Sequence, residues 1–173
     1  MPKWRTASLI LLGLAWTAVA SAAEELIGRV VGITDGDTLT LLVAEGSGFK
    51  PVKIRLAEID APERRQPYGT QAKQVLSDLA YNQSARVVVQ DTDRYGRTVG
   101  RVYVGSTDVS AEMIRQGAAW VYRKYSRDPA LLDRETQAKA AKRGLWALPE
   151  AQRVEPCEWR HFRSVVNVKP VHF

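Results

Sequence analysis

The sequence predicts an α+β fold, a small five-stranded β-barrel with about three α-helices. Two observations support this prediction: three apolar, β-branched runs separated by short turns begin the folded part, and an amphipathic helix pattern then separates them from two more strand-like runs. The chain has 173 residues, 45% hydrophobic and 25% charged, which is the composition of an ordinary globular domain.

The first three runs predict a β-meander. Leu26–Ile33 ends at the turn signal Asp35-Gly36, and Thr38–Val43 is the second run. Gly46-Ser47-Gly48 connects it to Val52–Ile59, in which apolar and polar residues alternate as in a half-buried strand. Folding the meander about the central residue of this connection places position 37 opposite position 57.

The order of the next elements indicates the type of barrel. A helix is expected over Tyr68–Tyr81, because its apolar residues fall on one face. Strands are expected at Arg86–Gln90 and Thr98–Val104, with a turn between them. Three strands, a helix and two strands are the layout of the OB-fold, a small Greek-key barrel.

Two further helices are predicted after the barrel. Asp108 or Ser110 can cap the first, and Gly117 can end it. The second begins at Asp128-Pro129, an N-cap residue followed by proline at the first helical position, and runs to about Arg143.

The N-terminal 22 residues have the layout of a secretory signal peptide. Lys3 and Arg5 precede the uncharged run Ala7–Ala20, and Ala20-Ser21-Ala22 is a small-x-small cleavage signal. The apolar run is shorter than the ~20 residues of a membrane-spanning helix. We therefore expect cleavage after Ala22, a periplasmic or secreted protein, and no stable membrane association afterwards. Cleavage lowers the formal net charge from +6 to +4, a mild basic bias that is compatible with a polyanionic partner.

The mature chain is expected to form one domain, residues 23–148, and a C-terminal tail, residues 149–173. Helical periodicity is lost beyond Pro149, so the tail is expected to be loosely packed. The single cysteine, Cys157, excludes an internal disulfide and a cysteine-built zinc site. Both histidines, His161 and His172, lie in the tail. The chemistry of the domain must therefore rest on carboxylates, arginines and bound ions.

Charged residues gather at the predicted turns and strand ends. They are Asp35, Asp37, Arg55, Glu58, Asp60, Glu63, Arg94 and Arg97. The meander brings three carboxylates, Asp37, Asp60 and Glu63, to one arginine, Arg55, at the mouth of the barrel. A hard cation such as calcium would relieve the repulsion among them. The second hairpin can supply another arginine, Arg97.

This combination predicts phosphodiester hydrolysis. Two arginines and a divalent cation match the charge of a phosphoryl transition state, and a nearby glutamate can accept a proton from water. Each part alone is also an ordinary turn or surface pair. Two other functions stay open: a non-catalytic OB-fold module that binds nucleic acid, and a two-carboxylate glycosidase. The clustered carboxylates disfavour the first, and the paired arginines disfavour the second.

Six short segments follow one another in a fixed order between Leu26 and Trp146. They are Ile33–Thr38, Ile54–Leu56, Ile59–Glu63, Tyr68-Gly69, Asp93–Arg97 and Ile114–Gly117. This ordered set closely resembles the staphylococcal-nuclease-like, or thermonuclease, family. The resemblance implies an OB-barrel with helices and a calcium-dependent endonuclease. Its substrate would be DNA and/or RNA, cut with little sequence specificity to leave 3′-phosphates. We expect it to act as a monomer.

The resemblance also implies roles for individual residues. Asp37 and Asp60 match the calcium-binding carboxylates, and Ala61 matches the position whose backbone carbonyl binds calcium. Glu63 matches the proposed general base, and Arg55 and Arg97 match the arginines that bind the scissile phosphate. Arg94 and Tyr95 match the residues that contact the terminal phosphate. The best-known member has threonine in place of Ala61, and the loop between Glu63 and Tyr68 is shorter here.

Two aromatic residues resemble a base-stacking wall. Trp120 and Tyr122 align with paired tyrosines of the family across a three-residue gap. A stacking wall needs exposed rings, and the same residues could equally belong to the core. Trp146, in contrast, follows a predicted helix end between leucines and is expected in the core.

Overall fold

The computed structural model describes residues 23–166. The signal-peptide prediction for residues 1–22 lies outside this range. In the part of the chain that the structure describes, no helix is long and apolar enough to cross a membrane.

Residues 23–166 contain eight strands and four α-helices, with two short 3₁₀ helices between the last two α-helices. In chain order they are β1 (Glu25–Asp35), β2 (Thr38–Glu45), β3 (Gly48–Leu56), β4 (Ile59–Asp60), α1 (Gly69–Ala80), β5 (Ser84–Thr92), β6 (Thr98–Val104), β7 (Thr107–Asp108), α2 (Val109–Arg115), β8 (Trp120–Val121), α3 (Pro129–Ala140) and α4 (Pro156–Val166). Strands β3, β2, β1, β5 and β6 pair antiparallel in that order, and a parallel pairing of β3 with β6 closes the barrel. The predicted five-stranded OB-fold is confirmed.

The register of the meander differs from the prediction by one residue. Glu45 pairs with Gly48, so the turn centre lies between Gly46 and Ser47 rather than on Ser47. As a result position 37 lies opposite position 56, and the backbone N–H of Leu56 donates to the carbonyl of Asp37 at 2.8 Å. The predicted third strand is also divided, because the chain turns between β3 and β4.

Close packing of α1 against the barrel positions the β1–β2 turn. Buried Ala72 and Leu76 of α1 join the core with Val30 and Leu39 of the barrel. A Cβ atom at Gly36 would lie 2.7 Å from the Cβ of Ala61 and 2.9 Å from that of Ala72. Only glycine therefore fits at this turn, which places Asp37 against Ala61 at the start of the loop after β4.

The helices after the barrel begin as the sequence predicts. Asp108 caps α2 by accepting a hydrogen bond from the N–H of Ala111 at 3.0 Å. Asp128 caps α3 by accepting from Ala130 at 2.9 Å. Gly117 follows α2 with φ +69°, at a point where a Cβ atom would lie 2.2 Å from the carbonyl oxygen of Arg143.

The C-terminal segment is more ordered than the expected loose tail. A 3₁₀ turn at Glu150–Gln152 is followed by the helix α4, and Pro156 at its start is buried. The side-chain amide of Gln66 donates to the carbonyl of Val154, which fixes this segment to the domain. The residues of α4 form an amphipathic pattern, which the sequence analysis missed.

Candidate active site

Arg55 occupies the centre of the predicted site. Its Nη1 lies 3.0 Å from a carboxylate oxygen of Asp37, and its Nη2 lies 3.1 Å from one of Asp60. Nη1 also donates to the carbonyls of Leu56 and Ile59, both at 3.0 Å. These contacts fix a nearly buried guanidinium at the end of β3, where it joins the β1–β2 turn to β4.

Asp37 connects the turn to the loop after β4. Its Oδ2 accepts the backbone N–H of Ala61 at 3.1 Å, and its Oδ1 accepts the hydroxyl of Thr38 at 3.0 Å. Three residues assigned to cation binding, Asp37, Asp60 and Ala61, are therefore adjacent. Thr38, which the sequence analysis did not assign to the site, links Asp37 to the next strand.

Two carboxyl groups at this end of the barrel have raised pKa values. Burial raises the pKa of Asp60 above its ordinary value; hydrogen bonding and charge from Arg160 and the charge of Arg55 lower it, whereas the charge of Asp37 raises it. Burial, with the charge of Asp37, also raises the pKa of Asp35 to about 6. Burial is the largest cause of both shifts, and a cation bound nearby would favour the ionised form of each carboxyl group.

Glu63 lies on a tight loop that leads from β4 into α1. Its backbone N–H donates to the side-chain carbonyl of Gln66 at 3.1 Å, and its carbonyl accepts the N–H of Gln66 at 2.8 Å. A Cβ atom at Gly69 would lie 2.0 Å from the carbonyl oxygen of Glu63, so α1 must begin with glycine. The side chain of Glu63 is 35% exposed, against 3% for Asp60, and water can therefore reach it.

Arg97 approaches the same carboxylates from the β5–β6 hairpin. Its Nε lies 2.7 Å from Asp93, and its Nη1 donates to the hydroxyl of Thr38 at 3.3 Å. That hydroxyl donates to Asp37, so one side chain separates Arg97 from the acidic cluster. Both predicted arginines thus lie at the same end of the barrel.

Arg94 and Tyr95 form the exposed tip of this hairpin. The Nη2 of Arg94 donates to the hydroxyl of Tyr95 at 2.8 Å, and its guanidinium lies 4.9 Å from the ring centre. The guanidinium of Arg97 lies 5.6 Å from the same ring. The tip places positive charge and an aromatic surface beside the cluster without pairing them to its carboxylates.

The two predicted stacking residues have different environments. Trp120 is only 4% exposed and packs edge-on against Trp146, with ring centres 5.5 Å apart. Its assignment as a stacking surface is wrong, because both rings lie in the core. Tyr122 is half-buried and packs edge-on against Tyr125, which is 64% exposed and was missed by the sequence analysis.

Glu58 belongs to a different polar network. Arg101 pairs with Glu58, and it also pairs with Asp108 at 3.0 Å and Asp128 at 2.6 Å. Ser126 donates to the other carboxylate oxygen of Glu58 at 2.9 Å. This network joins the β3–β4 turn to the caps of α2 and α3, so Glu58 supports the fold rather than the cluster.

Arg160 of α4 is the main site residue that the sequence analysis missed. Its Nη2 lies 2.9 Å from Asp60, and its Nη1 lies 2.7 Å from Glu63. Nη1 also donates to the other oxygen of Asp60 at 3.3 Å. Arg160 lies 100 residues from Asp60, and the sequence analysis missed it because it did not recognise the amphipathic helix that carries it.

The donor set fits a hard cation. The groups assigned to it are the carboxylates of Asp37 and Asp60 and the backbone carbonyl of Ala61, all oxygen donors of the kind that calcium prefers. Within the described residues, no three His, Cys, Asp or Glu side chains form a ready-made metal site. Water and substrate would therefore have to complete the coordination.

Comparison with known proteins identifies the family. Residues 53–148 match the sequence profile described as Staphylococcal nuclease homologue. The chain belongs to this family.

Relatives of similar length support this membership. The chain is 43% identical over 146 residues to an uncharacterized endonuclease of Haemophilus influenzae, with 84% of this chain and 79% of the relative covered. It is 44% identical over 159 residues to Protein ParB of Escherichia coli, with 85% and 86% covered. It is 40% identical over 144 residues to a micrococcal nuclease of Shigella flexneri, with 77% and 79% covered.

Proposed function

We propose that the protein is a calcium-dependent endonuclease that hydrolyses phosphodiester bonds of DNA and/or RNA with little sequence specificity. The observation that carries this proposal is the position of Arg55 between Asp37 and Asp60, with Glu63 on the adjoining loop. Family membership and the nuclease and endonuclease names of its relatives support it.

The side chains suggest how hydrolysis proceeds. Glu63 is the most exposed of the three carboxylates and accepts a proton from the attacking water. The water oxygen forms a bond to phosphorus as the bond from phosphorus to the 5′-oxygen breaks, and the departing oxygen takes a proton from solvent. The products are a 3′-phosphate and a 5′-hydroxyl. Arg55 and Arg97 stabilise the negative charge that develops on the phosphoryl oxygens.

The proposal includes a bound metal ion. Asp37, Asp60 and the backbone carbonyl of Ala61 would hold a calcium ion, which would supply positive charge beside the phosphate. The adjacency of these three residues, through the contacts of Arg55 with both carboxylates and of Asp37 with the N–H of Ala61, supports this placement.

Substrate contacts are proposed at two places outside the acidic cluster. Arg94 and Tyr95 at the hairpin tip would bind a terminal phosphate, since their guanidinium and hydroxyl groups face solvent. Tyr122 would contact a base, with the exposed ring of Tyr125 against it. Trp120 has no part in this proposal, because its ring is buried.

An activity assay on residues 23–173 tests the proposal. Single-stranded DNA, duplex DNA and RNA are incubated with the protein in calcium and, separately, in excess chelator. We expect cleavage in calcium alone, with products that a phosphatase converts to 3′-hydroxyl ends. Binding without cleavage in calcium would instead favour a non-catalytic OB-fold module.

We also propose that residues 1–22 direct export and are removed, leaving a periplasmic or secreted monomer. The charged start, the short apolar run and Ala20-Ser21-Ala22 support this proposal. The intact mass of the protein recovered from the periplasm or medium should match a chain that begins at Ala23. A full-length, membrane-bound product would contradict it, and light scattering tests the oligomeric state.

A further inference from the structure

Arg160 makes direct contacts with two groups that the proposed reaction needs. One terminal nitrogen pairs with Asp60, a proposed cation ligand, and the other pairs with Glu63, the proposed proton acceptor. A carboxylate that is ion-paired to an arginine is a poorer base and a poorer cation ligand than a free one. In this arrangement α4 therefore opposes catalysis.

The charge balance makes Arg160 and a divalent cation alternatives. Asp37, Asp60 and Glu63 carry three negative charges when ionised. Arg55 compensates one of them, and Arg97 is already paired with Asp93. A divalent cation would supply the two charges that are missing. Arg160 supplies one, and an arginine and a cation on the same carboxylate would repel each other.

The helix is anchored to the loop that carries Glu63. The amide of Gln66 donates to the carbonyl of Val154 just before α4, and its side-chain oxygen accepts the N–H of Glu63. Pro156 is buried beside this attachment. The position of α4 and the position of the Glu63 loop are therefore connected through one side chain.

We propose that α4 is an autoinhibitory latch, in which Arg160 occupies the acidic cluster until a divalent cation displaces it. The proposal rests on the calcium site of the proposed function. Because linkage is reciprocal, docking of Arg160 weakens calcium binding and calcium binding weakens the docking of α4. If the latch is closed in roughly nine molecules of ten, removal of Arg160 tightens calcium binding about tenfold.

The test compares residues 23–173 as wild type, Arg160→Gln and Arg153→Gln. Arg153 is the matched control, since it is exposed in the same segment and its removal changes the net charge equally. Calcium binding is measured by titration calorimetry, and amide hydrogen exchange across α4 is measured with and without calcium. We expect calcium to bind Arg160→Gln about tenfold more tightly than the other two proteins, and calcium to speed exchange in α4 of the wild type.

The possible results distinguish failure of the latch proposal from failure of the proposed calcium site. Equal calcium affinity in all three proteins, or an equal gain in both variants, would overturn the latch and leave the calcium site intact. A loss of turnover in Arg160→Gln at unchanged calcium affinity would also overturn it, by assigning Arg160 to the substrate. No calcium binding by any of the three would overturn the proposed calcium site, on which the latch rests.

Discussion

Arg55 and Asp60 lie only five residues apart, yet their side chains meet, with Nη2 3.1 Å from Oδ1. They meet because the chain turns between β3 and β4, where Glu58 adopts a positive φ of 67°. Arg101 and Ser126 hold the carboxylate of Glu58 in this turn. A network outside the acidic cluster thus sets the geometry within it.

Replacement of either site arginine by lysine should preserve the fold and reduce turnover. An ammonium group cannot reproduce the planar fork by which Arg55 contacts Asp37 and Asp60 together, or by which it would bind a phosphate. We expect Arg55→Lys and Arg97→Lys each to lower kcat by about two orders of magnitude or more. Circular dichroism checks the fold, and near-normal turnover in both variants would contradict the assigned roles.

Trp120 and Tyr122 should give opposite phenotypes. Trp120→Ala removes a buried ring that packs on Trp146, so it should lower the free energy of unfolding by about 3–5 kcal/mol. Tyr122→Ala should instead raise KM for an oligonucleotide about tenfold through lost stacking, with a smaller effect on stability. Denaturant unfolding and steady-state kinetics measure the two effects. A stable Trp120→Ala protein with a raised KM would restore the stacking assignment.

The ion-pair cluster around Glu135 should make stability depend on pH. Burial would raise the pKa of Glu135, but hydrogen bonds from Arg123, Lys139 and the N–H of Val121 outweigh it and lower the pKa. A lowered folded-state pKa adds stability that is complete above the unfolded value of about 4.3 and is lost as pH falls through the folded value. The wild type should therefore lose stability below about pH 5.

The variant Glu135→Gln tests this pH dependence. At neutral pH it should be less stable by about 1–3 kcal/mol, because it keeps the shape but loses charge-assisted hydrogen bonds. Its stability should also fall less steeply than that of the wild type in the acid range. Glu45→Gln, which removes only an exposed pair with Lys50, is the control. Equal acid slopes for wild type and Glu135→Gln would refute the assignment.

The sequence predicted the barrel and the Asp37–Arg55–Asp60 cluster because both depend on local signals. Alternating strands and glycine turns determine which strand ends meet. The predicted register of the meander was wrong by one residue, but this difference did not change which side chains form the cluster. Burial is harder to predict: Trp120 and Tyr122 belong to one short aromatic segment, and only tertiary packing shows which ring the core encloses. Arg160 was missed because its contacts cross 100 residues and the amphipathic pattern of α4 was not recognised.

Substitutions of the proposed cation ligands and of the proposed proton acceptor should affect calcium binding and cleavage differently. Asp37→Asn or Asp60→Asn replaces a carboxylate ligand by a neutral amide, so calcium affinity should fall and added calcium should restore part of the activity. Glu63→Gln removes the proposed proton acceptor at nearly constant shape. Its single-turnover rate should fall by about 10²–10⁴-fold, with calcium affinity changed far less.

The most direct measurement is calcium titration calorimetry beside single-turnover cleavage for Glu63→Gln and Asp60→Asn. We expect excess calcium to raise the cleavage rate of Asp60→Asn and to leave that of Glu63→Gln unchanged. If Glu63→Gln loses calcium binding, or if added calcium restores its rate, then Glu63 is a cation ligand and its assignment as the proton acceptor is wrong.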